Sequence, residues 1–250
     1  MFNQKPMLGQ LPDWTRFPQP AALYVMNEGT GSIINDLSGN GNTATPQRAG
    51  GVVWRAGELD PVIEFGNPWQ YLLTLNNGNR MNLSEGTAVF WLKDNNSTAY
   101  ACFFKLIYDT DNFIVIYSDG TNWDSPAEVA GTNKGLGNFA VIDSSYHQFG
   151  LTWSQAGNFR EVFFDGVLVT STTWGTPAGI PALCIGGDSG DAPDVFFDNA
   201  IIFDQAISHQ QIQQLSIDPF PWFHREPAIK LWTPPEDGGI VVLRRRRECA

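Results

Sequence analysis

The stretch GELDPVIEF, from Gly57 to Phe65, sets three carboxylic acids at Glu58, Asp60 and Glu64, all at even offsets. On an unbroken strand, even offsets share one face, and two carboxyl groups on one face can serve as proton donor and nucleophile toward a glycosidic bond. Pro61 interrupts that spacing, because a proline removes a ladder donor and is disfavoured within a central strand. The residues therefore predict Glu58 and Asp60 in a loop entering the strand VIEF, with Glu64 on its solvent face and Ile63 and Phe65 turned inward. No catalytic pair is expected.

Other constellations suggest ligands. DLSGNG, Asp36 to Gly41, follows the first half of a calcium loop, but Gln47 stands where the twelfth position needs a bidentate carboxylate. Two readings stay open at Asp36: a weak calcium site, the one cofactor considered for this chain, or a turn held by a local Asx hydrogen bond. His147, His209 and His224 are scattered with no serine or cysteine in a nucleophile context beside them. Trp123, in SDGTNWDSPAEV, and Trp174, in TTWGTPAGIP, lie outside obvious strands and are the candidates for a ring on which a sugar stacks. Trp91 and Trp153 fall within strands and are expected in the core.

The last residues raise a different chemistry. In SIDPFPWFHREPAIKLW, prolines alternate with Phe220, Trp222, Phe223 and Trp232, a pattern that keeps a segment extended while offering aromatic anchors to a neighbour or to the parent domain. Arg244, Arg245, Arg246 and Arg247 close the run IVVLRRRR, which suits either an edge strand facing an acidic partner or a solvated charge run. Residues 217–250 hold 6 of the 15 Lys/Arg and 5 of the 26 Asp/Glu, so they carry +1 and leave −12 to the rest. A body of that charge argues against nucleic acid as a partner.

The elements that must position these groups are strands. Runs such as TAVFWLK, ACFFKLIYD, NFIVIYS and REVFFDGVLVTST are rich in β-branched and aromatic residues, and Gly, Asn and Asp punctuate them at short intervals. Asp165-Gly166 is a two-residue hairpin signal. SHQQIQQL reads as one helix, with Ser208 as N-cap, Gln211 completing a capping box, Ile207 as a staple, and Ile212 and Leu215 as its buried stripe. Cys102 and Cys184 sit in apolar runs and read as buried thiols, with Cys249 left over. No run approaches about 18 uninterrupted apolar residues, and the first residues carry no basic-then-apolar leader, so no membrane partner is expected.

In order, LYVMNEGTGSIINDLSGNGNTAT, GELDPVIEFGNPWQYLLTL, FGLTWSQAGNFREVFFDGVLVTS and NAIIFDQAISHQQIQQL resemble the laminin-G-like jelly rolls of the concanavalin A-like lectin and glucanase superfamily. The chain departs from that pattern in having DVFFDN where many members place a glycine ahead of the last long strand. The resemblance implies an all-β antiparallel sandwich over residues 21–216 with one short C-terminal helix; outside it, the proline-rich first residues read as an extended N-terminal arm over 1–20 and the proline-aromatic tail as an extended C-terminal arm over 217–250. The fold hosts enzymes, lectins and spacers alike. Similar proteins with the DLSGNGN turn and a DP-aromatic tail are virion components of tailed bacteriophages. The resemblance thus implies a non-enzymatic, homo-oligomeric capsid decoration or head-fibre subunit, with tail fibre next. Such a subunit folds in the host cytoplasm and contacts the major capsid protein or copies of itself. The alternatives are a lectin-like module binding cell-surface glycan and, after it, a glycoside hydrolase.

Overall fold

A computed structural model describes residues 17–47, 53–56, 61–65, 71–74, 84–94, 101–109, 112–129, 132–133, 138–175, 182–186 and 195–223. The chain begins with short strands β1 (Ala22–Tyr24), β2 (Thr45–Gln47), β3 (Val53–Ala56), β4 (Pro61–Phe65) and β5 (Tyr71–Thr74). Three longer strands follow, β6 (Glu85–Asp94), β7 (Ala101–Asp109) and β8 (Asn112–Ser118). After them come β9 (Asn122–Asp124), β10 (Ala127–Val129), β11 (Thr132–Asn133) and β12 (Asn138–Val141). The chain then runs through β13 (Tyr146–Ser154), β14 (Phe159–Phe164), β15 (Val167–Thr172), β16 (Ala182–Gly186) and β17 (Val195–Phe203) to a single helix among the described residues, α1 (His209–Ile217).

These strands form two antiparallel sheets. The first has the order β15-β14-β13-β6-β17-β4-β3, with β1 also on β17; the second has the order β11-β10-β8-β7-β16-β5-β2, with β9 and β12 continuing from β8. The protein is an all-β sandwich, as the strand pattern predicts, of the jelly-roll kind that the resemblance implies. Pro61 is the first residue of β4, a place where its missing N–H costs no internal ladder bond. Asp165 (φ +49°) and Gly166 (φ +77°) make the hairpin between β14 and β15, both in the left-handed region that this turn requires. The departure DVFFDN coincides with a register irregularity in β17 between Phe197 and Asn199.

Strand alternation divides the apolar residues between two cores. Ala88, Phe90 and Leu92 of β6 point between the sheets, where Phe90 stacks on Phe104 at 5.5 Å and on Phe149 at 5.6 Å. Trp153 belongs to this interior. Val89 and Trp91 point the other way, onto the outer face of the first sheet, which a second layer covers. Both strand tryptophans are thus buried, as expected.

For residues 217–223 the second layer corrects the expectation of an arm docking on a neighbour: their rings anchor to the parent domain. Phe220, Trp222 and Phe223 are 1%, 1% and 6% exposed, packed with Ile207, Ile212 and Leu215 against Val89, Trp91, Phe163, Ile201 and Phe203 of the chain's own first sheet. Phe17, placed by sequence in the N-terminal arm, joins them: its ring lies 5.4 Å from that of Trp222, and Trp222 Nε1 donates to Phe17 O at 3.3 Å. The physical reason is the sheet itself. Its outer face carries large apolar residues that need a cover, and a proline-stiffened aromatic segment following the helix supplies one at low ordering cost. Trp232 and Arg244 to Arg247 lie outside the described residues.

Helix α1 starts as its sequence predicts. Ser208 Oγ accepts from Gln211 N at 3.3 Å, Gln211 Oε1 accepts from Ser208 N at 2.8 Å, and Ile212 and Leu215 are the buried residues. It is too short to cross a membrane, and no helix among the described residues is long and apolar enough to do so.

Candidate functional site

The two loop tryptophans are not surface platforms. Trp123 and Trp174 are both 0% exposed and belong to the core between the sheets. Asp119 explains Trp123: its Oδ1 accepts from Thr121 N at 2.8 Å and from Asn122 N at 2.6 Å, which closes a tight turn and folds the next residues back as β9. Those N–H groups hold the Asp119 carboxyl below its ordinary pKa, Asn122 contributing most. Strand β9 then aims Trp123 inward, between Phe103 at 4.9 Å and Phe149 at 4.8 Å. A buried ring offers a sugar no face to stack on, so neither residue is a ligand platform.

Asp36 is a structural acid. Its Oδ1 accepts from Leu23 N at 2.9 Å and Ser38 N at 2.8 Å; its Oδ2 accepts from Ser38 Oγ at 2.8 Å and Asn42 N at 2.9 Å. Four protein donors fill the carboxylate, which corrects the calcium reading in favour of the Asx turn. The turn ties the DLSGNGN loop to the start of β1, where Asn42 Nδ2 donates to Ala21 O at 2.7 Å. Glu64 is half-buried and pairs with Arg55 Nε across β3 and β4, while Ile63 is fully buried. Glu58 and Asp60 lie outside the described residues.

His147 gathers a polar cluster that its sequence context does not announce. Its Nδ1 lies 2.8 Å from Asp165 Oδ2 and its Nε2 lies 2.9 Å from Asp143 Oδ1, while its ring stacks on Phe164 at 4.6 Å. The hydrogen bond to Asp165 is the main cause that raises the imidazole pKa above its ordinary 6.5, with Asp143 adding to it and burial opposing. Both ring nitrogens are committed to carboxylates. The group therefore clamps a hairpin to a loop and has no nitrogen left to act as a base toward a substrate.

Among the described residues, a further surface is the outer face of the second sheet. Ile114 and Ile116 of β8 point into the core, so Phe113, Val115 and Tyr117 point out. On β7, Phe104 and Leu106 point in and Lys105 points out, and the residue skipped in the register between Cys102 and Phe104 is a bulge that turns Phe103 inward as well. Cys102 and Cys184, each a thiol 4% exposed, and Val115 form the floor. Above it stand half-buried Phe113 and Tyr117. Lys105 Nζ lies 5.1 Å from the Phe113 ring centroid, and Tyr117 Oη donates to Asp124 Oδ2 at 3.1 Å. Asp124 is anchored in turn, its Oδ1 accepting from Ser125 N at 2.6 Å. Its charge also opposes the effect of burial on Arg160, a fully buried guanidinium whose pKa burial lowers to about 10.

This face combines two aromatic rings, a cation and a carboxylate over an apolar floor. Such a surface can stack on the apolar face of a flat polar ligand while hydrogen-bonding its hydroxyls. Sequence reasoning missed it, although the signal was there: NFIVIYS is apolar on both faces, and the face opposite Ile114 and Ile116 carries its aromatics at Phe113 and Tyr117.

The sequence matches no protein-family model and no curated protein. Solved structures share the fold at low identity. Domain 4 of AbnA, a GH43 extracellular arabinanase from Geobacillus stearothermophilus solved with arabinotriose, aligns with TM-score 0.63 and 17% identity over 79% of this chain and 98% of that one. The receptor binding domain of botulinum neurotoxin C/D mosaic serotype aligns with TM-score 0.61 and 13% identity over 80% of this chain and 51% of that one. A sialidase of Trypanosoma rangeli aligns with TM-score 0.60 and 13% identity over 79% of this chain and 32% of that one. What these structures share with the chain is the two-sheet β-sandwich fold.

Proposed function

We propose that this chain is a non-catalytic, lectin-like carbohydrate-binding module, and that its glycan lies on the outer face of the second sheet, over Phe113 and Tyr117. The observation that carries this reading is the asymmetry of the sandwich. The first sheet's outer face is sealed by an apolar layer, whereas the second sheet's outer face carries rings and charged groups. Tyr117 is the anchor, because its hydrogen bond to Asp124 fixes the ring and leaves a carboxylate beside it to accept from sugar hydroxyls. The fold neighbours support the reading: one was solved with arabinotriose, and cell entry of botulinum neurotoxin type C is described as dependent on two ganglioside molecules. The main support for a particle subunit beyond family resemblance was the aromatic tail, and three of its rings are buried in their own domain. Carbohydrate binding is therefore preferred over assembly into a virion.

The test is a glycan array with the full chain, followed by calorimetry on the best neutral and sialylated hits. Tyr117→Ala is expected to weaken binding about tenfold or more, the equivalent of losing about 1.4 kcal/mol. Absence of any glycan ligand, or affinity unchanged in Tyr117→Ala, would rule the site out.

A further inference from the structure

Strand β15 ends the first sheet: it pairs with β14, and no described strand lies beyond it. An edge strand presents a row of backbone donors and acceptors to whatever approaches, and proteins usually blunt such a row with charge, proline or a cover. A bulge is a further such device, and of all of them β15 carries only the bulge, at Val169. From Val167 to Trp174 the sequence is VLVTSTTW, with no charged residue and no proline, in a chain of net charge −11. Val167, Leu168 and Val169 are 62%, 39% and 36% exposed, three consecutive apolar side chains at the surface. The register passes from Leu168 opposite Phe163 to Thr170 opposite Val162, so Val169 is a bulge residue with no Cα partner on β14.

We propose that β15 is a self-association edge, which pairs antiparallel with β15 of a second copy across a two-fold axis at Val169 and joins the two first sheets into one. A second copy is the occupant that the charge distribution favours. Two acidic molecules must meet where neither brings charge, and β15 is such a place. Antiparallel pairing sets Val169 against Val169 and Leu168 against Thr170, apolar and hydroxyl pairs that strands tolerate well. It also carries the exposed Asp165 carboxylates of the two hairpin turns about 25 Å apart, at about 3.3 Å per residue over eight residues. That distance exceeds the screening length in physiological salt, about 8 Å.

Sedimentation velocity of the full chain over about a hundredfold dilution is expected to show a monomer–dimer equilibrium. Val169→Lys sets two ammonium groups face to face across the axis and is expected to shift that equilibrium about tenfold or more toward monomer, with the circular dichroism spectrum unchanged. The conservative Val169→Cys, made in a Cys249→Ser background, is expected to give an intermolecular disulfide under mild oxidation. A wild-type chain that is monomeric at every concentration overturns the proposal. So does a dimer that Val169→Lys leaves intact, or one in which Val169→Cys does not cross-link. The surface tested is on the opposite sheet from Tyr117, so neither result depends on whether a glycan binds.

Discussion

Between two aspartates, His147 takes up a proton more readily in the folded chain than in the unfolded one. Its raised pKa, due first to Asp165 and then to Asp143, means that its contribution to stability is fully present below about pH 6.5 and is lost as pH rises through the raised folded value. Asp143 works in the opposite sense. The His147 hydrogen bond is the main cause that lowers its pKa, so its share is present above the ordinary aspartate value and is lost as pH falls through the depressed one. The clamp is therefore strongest between about pH 4 and pH 6.5. The denaturation midpoint is expected to fall as pH is taken from about 6 to about 8, and His147→Gln is expected to flatten that slope. Chemical denaturation of both proteins at several pH values checks this, and equal slopes would show that the clamp contributes nothing. The clamp also explains why a histidine with no motif around it is nevertheless ordered. Asp165 is fixed twice over, its Oδ1 accepting from Gln148 N at 2.9 Å and its own N–H donating to Gln148 O at 2.9 Å.

At the scale of elements, the layer over the first sheet holds helix, hairpin and both ends of the described chain together. Gly166, at the hairpin turn, has positive φ and no room for a Cβ, which would collide with Ser216 Oγ in the last turn of the helix. Trp222→Ala removes a large ring from a site 1% exposed and is expected to destabilise the fold by about 3–5 kcal/mol. A thermal melt measures this, and a midpoint within error of wild type would restore the picture of a free arm. Strands and helix were legible in the sequence because their signals are local: β-branched runs, Asp165-Gly166, and Ser208 with Gln211. The tail rings show the limit of that reading. Phe220, Trp222 and Phe223 announce anchors, but the surface they anchor to is assembled from β6, β14 and β17, which are remote in sequence, and only the folded sheet reveals that its outer face needs covering. Trp123 was misplaced for a related reason. Its Gly/Asn/Asp-rich surroundings do form a turn at Asp119, but the turn is tight enough to return the chain as another strand.

Seen whole, the molecule has one outer face covered by an apolar layer and another that carries rings and charged groups. Phe17 and Trp222 touch on the first sheet's outer face, so the described chain enters and leaves on the covered side, while Lys105, Phe113 and Tyr117 stand on the other sheet. This polarity comes from the distribution of large apolar residues between the two outer faces. β6 and β17 put Val89, Trp91, Ile201 and Phe203 on one of them; β7 and β8 put Lys105 and Tyr117 on the other. On the proposed glycan reading, a module built in this way can be tethered from behind without blocking its ligand. The polarity can be tested with one bulky maleimide label at two positions, in a Cys249→Ser background in which Cys102 and Cys184 stay protected by burial. Attached at Ile217→Cys, a site 74% exposed at the end of α1, the label is expected to leave glycan affinity unchanged. Attached at Lys105→Cys it is expected to abolish binding, because it covers the rings themselves. If the Ile217 label blocked the glycan and the Lys105 label did not, the binding side would have to be reassigned to the covered face.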